Sequence, residues 1–227
     1  MICSNYNTIR KGVIQMVTFL IVRHGYSMGN KEKRFSGQMD VALDEIGLRQ
    51  ARSIAEYVLA NFQIDVVYAS DLRRAVDTVK PVAEQLHLPV KTSKSLREVD
   101  VGDWQGKLIT DVEREYPESF ALYKENPGLS HFDGGESYAE LQQRVVRAFE
   151  KIAADNDGKT VLVGTHGGVI RTLRAAWTGT PLEKIKDIAH VPNASVTVAV
   201  YENGRFTLEN VGYCDYLSDK TTEEGVK

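Results

Sequence analysis

Cysteine is nearly absent from this 227-residue chain: Cys3 and Cys214 stand alone near its two ends. Two isolated thiols build neither a disulfide framework nor a CxxC site, so both are expected to be free in a reducing compartment. Long apolar runs are missing as well. No stretch approaches the roughly 18 apolar residues of a membrane span, and the opening "MICSNYNTIRKGVIQM" lacks the unbroken apolar core of a secretory leader. Positive charge is not in excess either, with 28 Lys and Arg against 31 Asp and Glu and a formal net charge of -3. That balance argues against a general nucleic-acid binder or a protein of anionic membrane surfaces. The expectation is a cytoplasmic protein with no nucleic-acid or membrane partner.

What remains is an ordinary globular composition, 42% hydrophobic and 26% charged, in a chain long enough to bury a sizeable core without staples. There is no internal repeat, low-complexity tract or linker. Residues 1–15 read as an extension, 16–214 as one domain and 215–227 as a polar tail. Short apolar runs alternate with helix-period segments. "VTFLIV" (17–22), "DVVYAS" (65–70), "LPVKTS" (88–93) and "TVLVGT" (160–165) read as strands. Residues 44–60 read as a helix capped by Asp44, with Leu48, Ala51, Ala55 and Val58 on its buried face. Residues 71–86 form a second helix, which Pro81 is expected to kink or break. Pro117 separates two short helical pieces over 108–125. Residues 137–155 form the clearest helix, with a Ser137–Glu140 capping box and a Leu141, Val145, Ala148, Ile152 stripe. A further helix spans about 168–178. Two final strands meet at an Asn203-Gly204 turn. Alternating strands and helices imply an α/β sheet with helices on both faces, with residues about 95–135 elaborated over one end.

In such sheets, ligands bind at the carboxyl ends of the strands. Arg23 and His24 follow the first strand, Arg73 and Arg74 the second, and His166 the "TVLVGT" strand. Glycines follow both histidines, Gly25 after one and Gly167 after the other, which lets backbone amides approach a ligand closely. Arginines fork onto phosphate oxygens, and a neutral histidine flanked by cations can attack phosphorus. This is the outline of a phosphate site. A metal held by His24 and His166 has no HxH, CxxC or carboxylate–histidine spacing to support it. Phosphoester cleavage also needs an acid for the leaving oxygen. Glu98 and Asp100 in "LREVDVGDWQG" are the candidates, with Asp103 a weaker third.

The segments "LIVRHGYSMGN", "SDLRRAVDT", "LREVDVGDWQG", "GGES" and "VGTHGGVIR" together resemble the histidine phosphatase superfamily, also called phosphoglycerate mutase-like. The resemblance implies a three-layer α/β/α sandwich with a mostly parallel central sheet. It implies that His24 is the nucleophile, that Arg23, Arg74 and His166 hold the phosphoryl group with Asn30, and that Glu98 donates the proton. Ser36 and Gly37 match a loop on the substrate side. It further implies no metal or other cofactor, and a monomer or homodimer. Tyr26 stands where the family usually carries Glu or Gln, and Gln105 where Glu is common. The short segment between Glu98 and Gly134 is similar to that of the phosphatase branch, so the expected activity is hydrolysis of small phosphomonoesters, such as sugar phosphates or nucleotide-like metabolites. The alternatives are a 2,3-bisphosphoglycerate-dependent phosphoglycerate mutase and a non-catalytic phosphate-binding module.

Overall fold

Successive side chains of a strand point to opposite faces, and the first strand, β1 (Met16–Arg23), fills two cores at once. Phe19 and Ile21 enter one apolar cluster, while Leu20 and Val22 enter the other. β4 (Thr160–Thr165) does the same, with Val161 and Val163 on one side and Leu162 on the other. A strand buried on both faces needs helices on both faces. The computed structural model, which describes residues 15–218, supplies them. Helices α2 (Glu45–Asn61) and α3 (Arg73–Gln85) close one side through Ile54, Val58, Val79 and Val82. Helices α6 (Tyr138–Asp155) and α7 (Gly167–Thr178) close the other through Leu141, Val145, Phe149, Ile170 and Leu173. The result is the expected three-layer α/β/α sandwich.

The sheet has six strands in the order β3-β2-β4-β1-β5-β6. β2 (Val66–Ser70), β3 (Val90–Ser93), β4 and β1 are parallel. β5 (Val196–Glu202) and β6 (Arg205–Tyr213) add an antiparallel edge. Both residues of their connecting turn have positive φ, Asn203 at 50° and Gly204 at 85°. That is the hairpin geometry Asn-Gly favours. A single helical turn, α1 (Met28–Lys31), follows β1, and between β3 and α6 the chain makes short 3-10 turns and the helices α4 (Ile109–Glu115) and α5 (Pro117–Glu125).

Several local expectations need correction. On α2, Ala51, Ala55 and Val58 are buried as the stripe requires, joined by Gln50 and Ile54, but Leu48 is 45% exposed. On α6, Leu141, Val145 and Ile152 are buried, Ala148 is half-buried against the same core, and the neighbouring Phe149 adds a fully buried ring packed against Phe19 and Phe206. β3 begins at Val90, not Leu88. Helix α3 begins at Arg73 and runs through Pro81 unbroken. Val79, Val82 and Ala83 are packed against the sheet on either side of that proline, and tertiary packing here outweighs the local helix penalty. Of the proposed extension only residue 15 is described; of the proposed tail, 215–218 are described, and there Leu217 is buried in the core with Tyr216 packed against it. Among the described residues, no helix is long and apolar enough to cross a membrane.

Candidate active site

β2, β4 and β1 are adjacent and parallel, so their carboxyl ends open onto one edge of the sheet. β1 delivers Arg23 and then His24. β4 delivers His166, which stands at the N-cap of α7. Arg74 comes from the first turn of α3, after β2. All four are buried, with His166 and Arg74 at 0% and 1% exposure. The two imidazoles meet edge to face, their centroids 5.3 Å apart. Arg23, His24, Arg74, Glu98, Gly167 and Asn30 line a single pocket.

The tautomer of His24 follows from its partner. Nδ1 lies 2.7 Å from the Gly25 carbonyl oxygen. A carbonyl only accepts, so Nδ1 carries the hydrogen and Nε2 keeps its lone pair as long as the ring is neutral. Burial, and then the charges of Arg74 and Arg23, hold the His24 pKa well below its ordinary 6.5. The same causes act on His166. Among the described residues, neither ring nitrogen of His166 has a hydrogen-bond partner. A buried polar ring of this kind is suited to an incoming polar ligand.

Both arginines are aimed by backbone carbonyls. Arg23 donates to Val191 at 2.7 Å. Arg74 donates to Gly37 at 2.7 Å and Met39 at 2.8 Å. Burial lowers the Arg74 pKa to about 10, so the guanidinium stays charged at neutral pH. The loop that carries His24 is tied down from three directions. The Gly25 amide donates to Thr78 Oγ1 of α3, whose hydroxyl donates to the Arg74 carbonyl. Asn193 Nδ2 donates to the His24 carbonyl at 3.0 Å, and the Ala194 amide reaches the carbonyls of Arg23 and His24. Gly25 has no room for a side chain, because a Cβ there would stand 2.8 Å from the Gly47 carbonyl oxygen of α2.

Of the two adjacent arginines, only Arg74 enters the pocket. Arg73 is exposed and pairs with Asp77. Of the three candidate acids, only Glu98 lines the pocket. Asp100 turns back to accept from the Gly102 amide, and Asp103 is exposed. Glu98 is seated by two amides, Gly168 at 3.0 Å and its own neighbour Val99 at 2.9 Å. A Cβ on Gly168 would lie 2.3 Å from Glu98 Oε1. Gly168→Ala is therefore expected to push the carboxyl from its seat and lower kcat by up to about 10²-fold, the scale of an ångström's misplacement. Thermal unfolding should change little, and an unchanged kcat would mean that Glu98 needs no such seat.

Asn30 and Ser27 form a capping box, with Asn30 Oδ1 accepting from the Ser27 amide and hydroxyl. Ser36, Gly37 and Tyr26 line the pocket as expected. Gln105 lies behind them, accepting from the Gln38 amide. Sequence reasoning missed Thr78, Asn193, Lys33, Tyr123, Tyr138 and His190. Thr78 lies on the apolar stripe of α3, one helical turn after Arg74, which is the one signal that singles it out. Nothing local marks Asn193, which acts from 169 residues away.

Two buried neutral histidines give a test by pH. Each has a folded pKa below its unfolded value of about 6.5. The unfolded chain therefore binds more protons between those values. Stability is complete above pH 6.5 and falls on acidification, by up to about 1.4 kcal/mol per pH unit for each ring. Urea unfolding between pH 7 and pH 5 should show this slope, and His166→Asn should reduce it. An unaltered slope in that variant would mean that His166 is not buried neutral.

Residues 19–213 match the family model of the histidine phosphatase superfamily, branch 1. The chain belongs to that family. It is 34% identical over 204 residues to phosphoserine phosphatase 1 of Hydrogenobacter thermophilus, covering 90% of this chain and 96% of that protein. It is 33% identical over 184 residues to a glucosyl-3-phosphoglycerate phosphatase of Mycolicibacterium vanbaalenii, covering 78% and 80%. The solved structure of Bacillus stearothermophilus YhfR superimposes with a TM-score of 0.84 at 30% identity, covering 88% of this chain and 98% of that one. As a histidine phosphatase, the protein is a hydrolase of phosphate monoesters of small metabolites.

Proposed function

We propose that this phosphatase works through a phosphohistidine on His24 and favours small phosphorylated acids. The observation that carries the first part is the His24 Nδ1–Gly25 hydrogen bond. In a neutral ring it leaves Nε2 as the nucleophile, in a pocket whose charge comes from Arg23 and Arg74. The phosphoryl group binds between Arg23, Arg74, His166, Asn30 and the Gly167 end of α7, where amides and guanidinium forks meet its oxygens. His24 Nε2 attacks phosphorus as the phosphorus–oxygen bond breaks, and Glu98 passes a proton to the leaving oxygen. Water then attacks the phosphohistidine, with the Glu98 carboxylate taking its proton, and the phosphorus–nitrogen bond breaks. Each half needs Glu98 in the opposite protonation state, which one carboxyl supplies in turn.

Charge supports the choice of substrate. Lys33 and Arg34 line the pocket besides Arg23 and Arg74, while Glu98 is its one carboxylate among the described residues. Lys33 is exposed, so a second anionic group on the substrate can reach it from the solvent side. The named substrates of the two phosphatases compared above each carry a carboxylate beside the phosphate.

The test is phosphate release from a panel of phosphoserine, 3-phosphoglycerate, sugar phosphates, nucleoside monophosphates and p-nitrophenyl phosphate. Interconversion of 2- and 3-phosphoglycerate is followed in parallel, with and without 2,3-bisphosphoglycerate. The highest kcat/KM is expected on a phosphorylated acid. A preference for neutral sugar phosphates would overturn the substrate reading, and bisphosphoglycerate-dependent interconversion would make the enzyme a mutase.

A further inference from the structure

The "GGES" segment and the helix after it have no part in the chemistry described so far, yet they grip the loop that carries Glu98. Arg144, on α6, donates to three carbonyls of that loop: from one terminal nitrogen to those of Ser95 and Arg97 at 3.1 and 3.0 Å, and from the other to that of Glu98 at 3.3 Å. Its remaining donors go to Glu136, from Nε at 3.1 Å and through a short contact from the second terminal nitrogen. Glu136 in turn accepts from the Asp100 amide at 3.0 Å, and its own amide donates to the Asp100 carbonyl at 2.9 Å. Both side chains are largely buried, at 23% and 16% exposure. The loop has a further anchor next to His166, where Thr165 Oγ1 donates to the Leu96 carbonyl.

We propose that Arg144 and Glu136 are positioning residues for the proton donor, fixing the backbone on either side of Glu98 so that its carboxyl stays on the Gly168 amide. The inference rests on the reading of Glu98 as that donor. Five guanidinium donors in a rigid plane can hold three carbonyls and a carboxylate at once, which a lysine cannot do. A surface ion pair would not need such a set. The pair spans the ends of the 95–100 loop and touches neither histidine, so its geometric effect falls on the acid.

That predicts a selective defect. An alkyl leaving group needs a proton as its bond breaks, whereas p-nitrophenolate leaves without one. Arg144→Met should therefore lose about 10²-fold in kcat/KM on an alkyl phosphate such as phosphoserine, while kcat/KM on p-nitrophenyl phosphate, which reports the steps up to release of the leaving group and not the later attack of water, should change little. Arg144→Lys, which keeps the charge and loses the fork, should remain impaired on the alkyl substrate. Equal loss on both substrates, loss on neither, or full recovery in Arg144→Lys would each overturn the proposal. The last outcome would assign the effect to charge, since Arg144 is also among the cations that depress the His166 pKa. Thermal melts establish that the variants are folded. If Arg144→Met does not fold, Glu136→Gln is read in the same way, with the same selectivity expected and its absence counting against the clamp. Glu98→Gln, run alongside, separates the two ideas. If it lacks the alkyl-selective defect, the reading of Glu98 fails; if it shows the defect and the Arg144 and Glu136 variants do not, the clamp alone fails.

Discussion

Replacing His24 by alanine is expected to leave a folded protein that releases no measurable phosphate. The reasoning begins with what the side chain does not do for the fold. Backbone atoms hold its loop: the Gly25 amide on Thr78, the His24 carbonyl under Asn193 and the His24 amide on Thr165. None of these is lost with the ring. Above pH 6.5 the ring is neutral in both the folded and the unfolded chain, so its loss removes only its packing and its hydrogen bond to the Gly25 carbonyl, and stability should change by no more than the roughly 0.5–3 kcal/mol of an ordinary substitution. Catalysis has no such reserve. The other imidazole, His166, enters from the end of β4, and among the described residues neither of its ring nitrogens has a partner that would fix a tautomer, as the Gly25 carbonyl does for His24. Loss of a covalent nucleophile costs on the order of 10⁶-fold in kcat in a well-studied hydrolase, and a loss of that order is expected here. Rapid quenching of the wild type with labelled substrate should trap an acid-labile phosphoenzyme that the variant lacks. A variant retaining more than a few per cent of activity would place the nucleophile elsewhere.

The parts of this site that could be read from sequence are those in which chemistry is concentrated at one strand end. Arg23-His24-Gly25 and His166-Gly167-Gly168 each follow an apolar run directly, so both the element and its polar terminus are visible within a few residues. Arg73 and Arg74 mark the limit of that approach. The strand-end argument delivered both, and only the helical phase separates them: Arg74 shares a face with Thr78 and Val82, while Arg73 shares one with Asp77. Leu48 failed on a similar point, since apolar letters alone placed it on the stripe, while Gly47 and the buried Gln50 share the inner face with Ala51, Ala55 and Val58. The helix continues through Pro81 because a penalty of about 3 kcal/mol is smaller than the burial of Val79, Val82 and Ala83 around it. The supports of the site were the least legible. Asn193 and Arg144 donate to backbone carbonyls 169 and 46 residues away, and the Val191 carbonyl accepts from the Arg23 guanidinium 168 residues away. Backbone acceptors carry no sequence signature, so such contacts appear only once the sheet order has brought the segments together.

Glu98→Gln separates an enzyme from a phosphate-binding module. Glutamine keeps the shape of the side chain and one carbonyl oxygen for the Gly168 amide, so the loop and the pocket should survive. It cannot give up a proton to the leaving oxygen, and it cannot take one from the water that attacks the phosphohistidine. Both halves of the cycle slow, and kcat should fall by about 10²–10⁴-fold, the usual contribution of general acid–base catalysis. Binding should be spared, because the charge that attracts phosphate comes from Arg23 and Arg74 and removal of a carboxylate beside them lowers no attraction. KM and the affinity for vanadate should therefore hold steady or improve while kcat collapses, the pattern of an interaction made in the transition state and not in the ground state. A module without turnover would bind vanadate equally in both forms and release phosphate in neither. An enzyme whose proton comes from another group would retain its kcat in the variant, and the seat formed by Gly168 and Val99 would then have to be explained as structure alone.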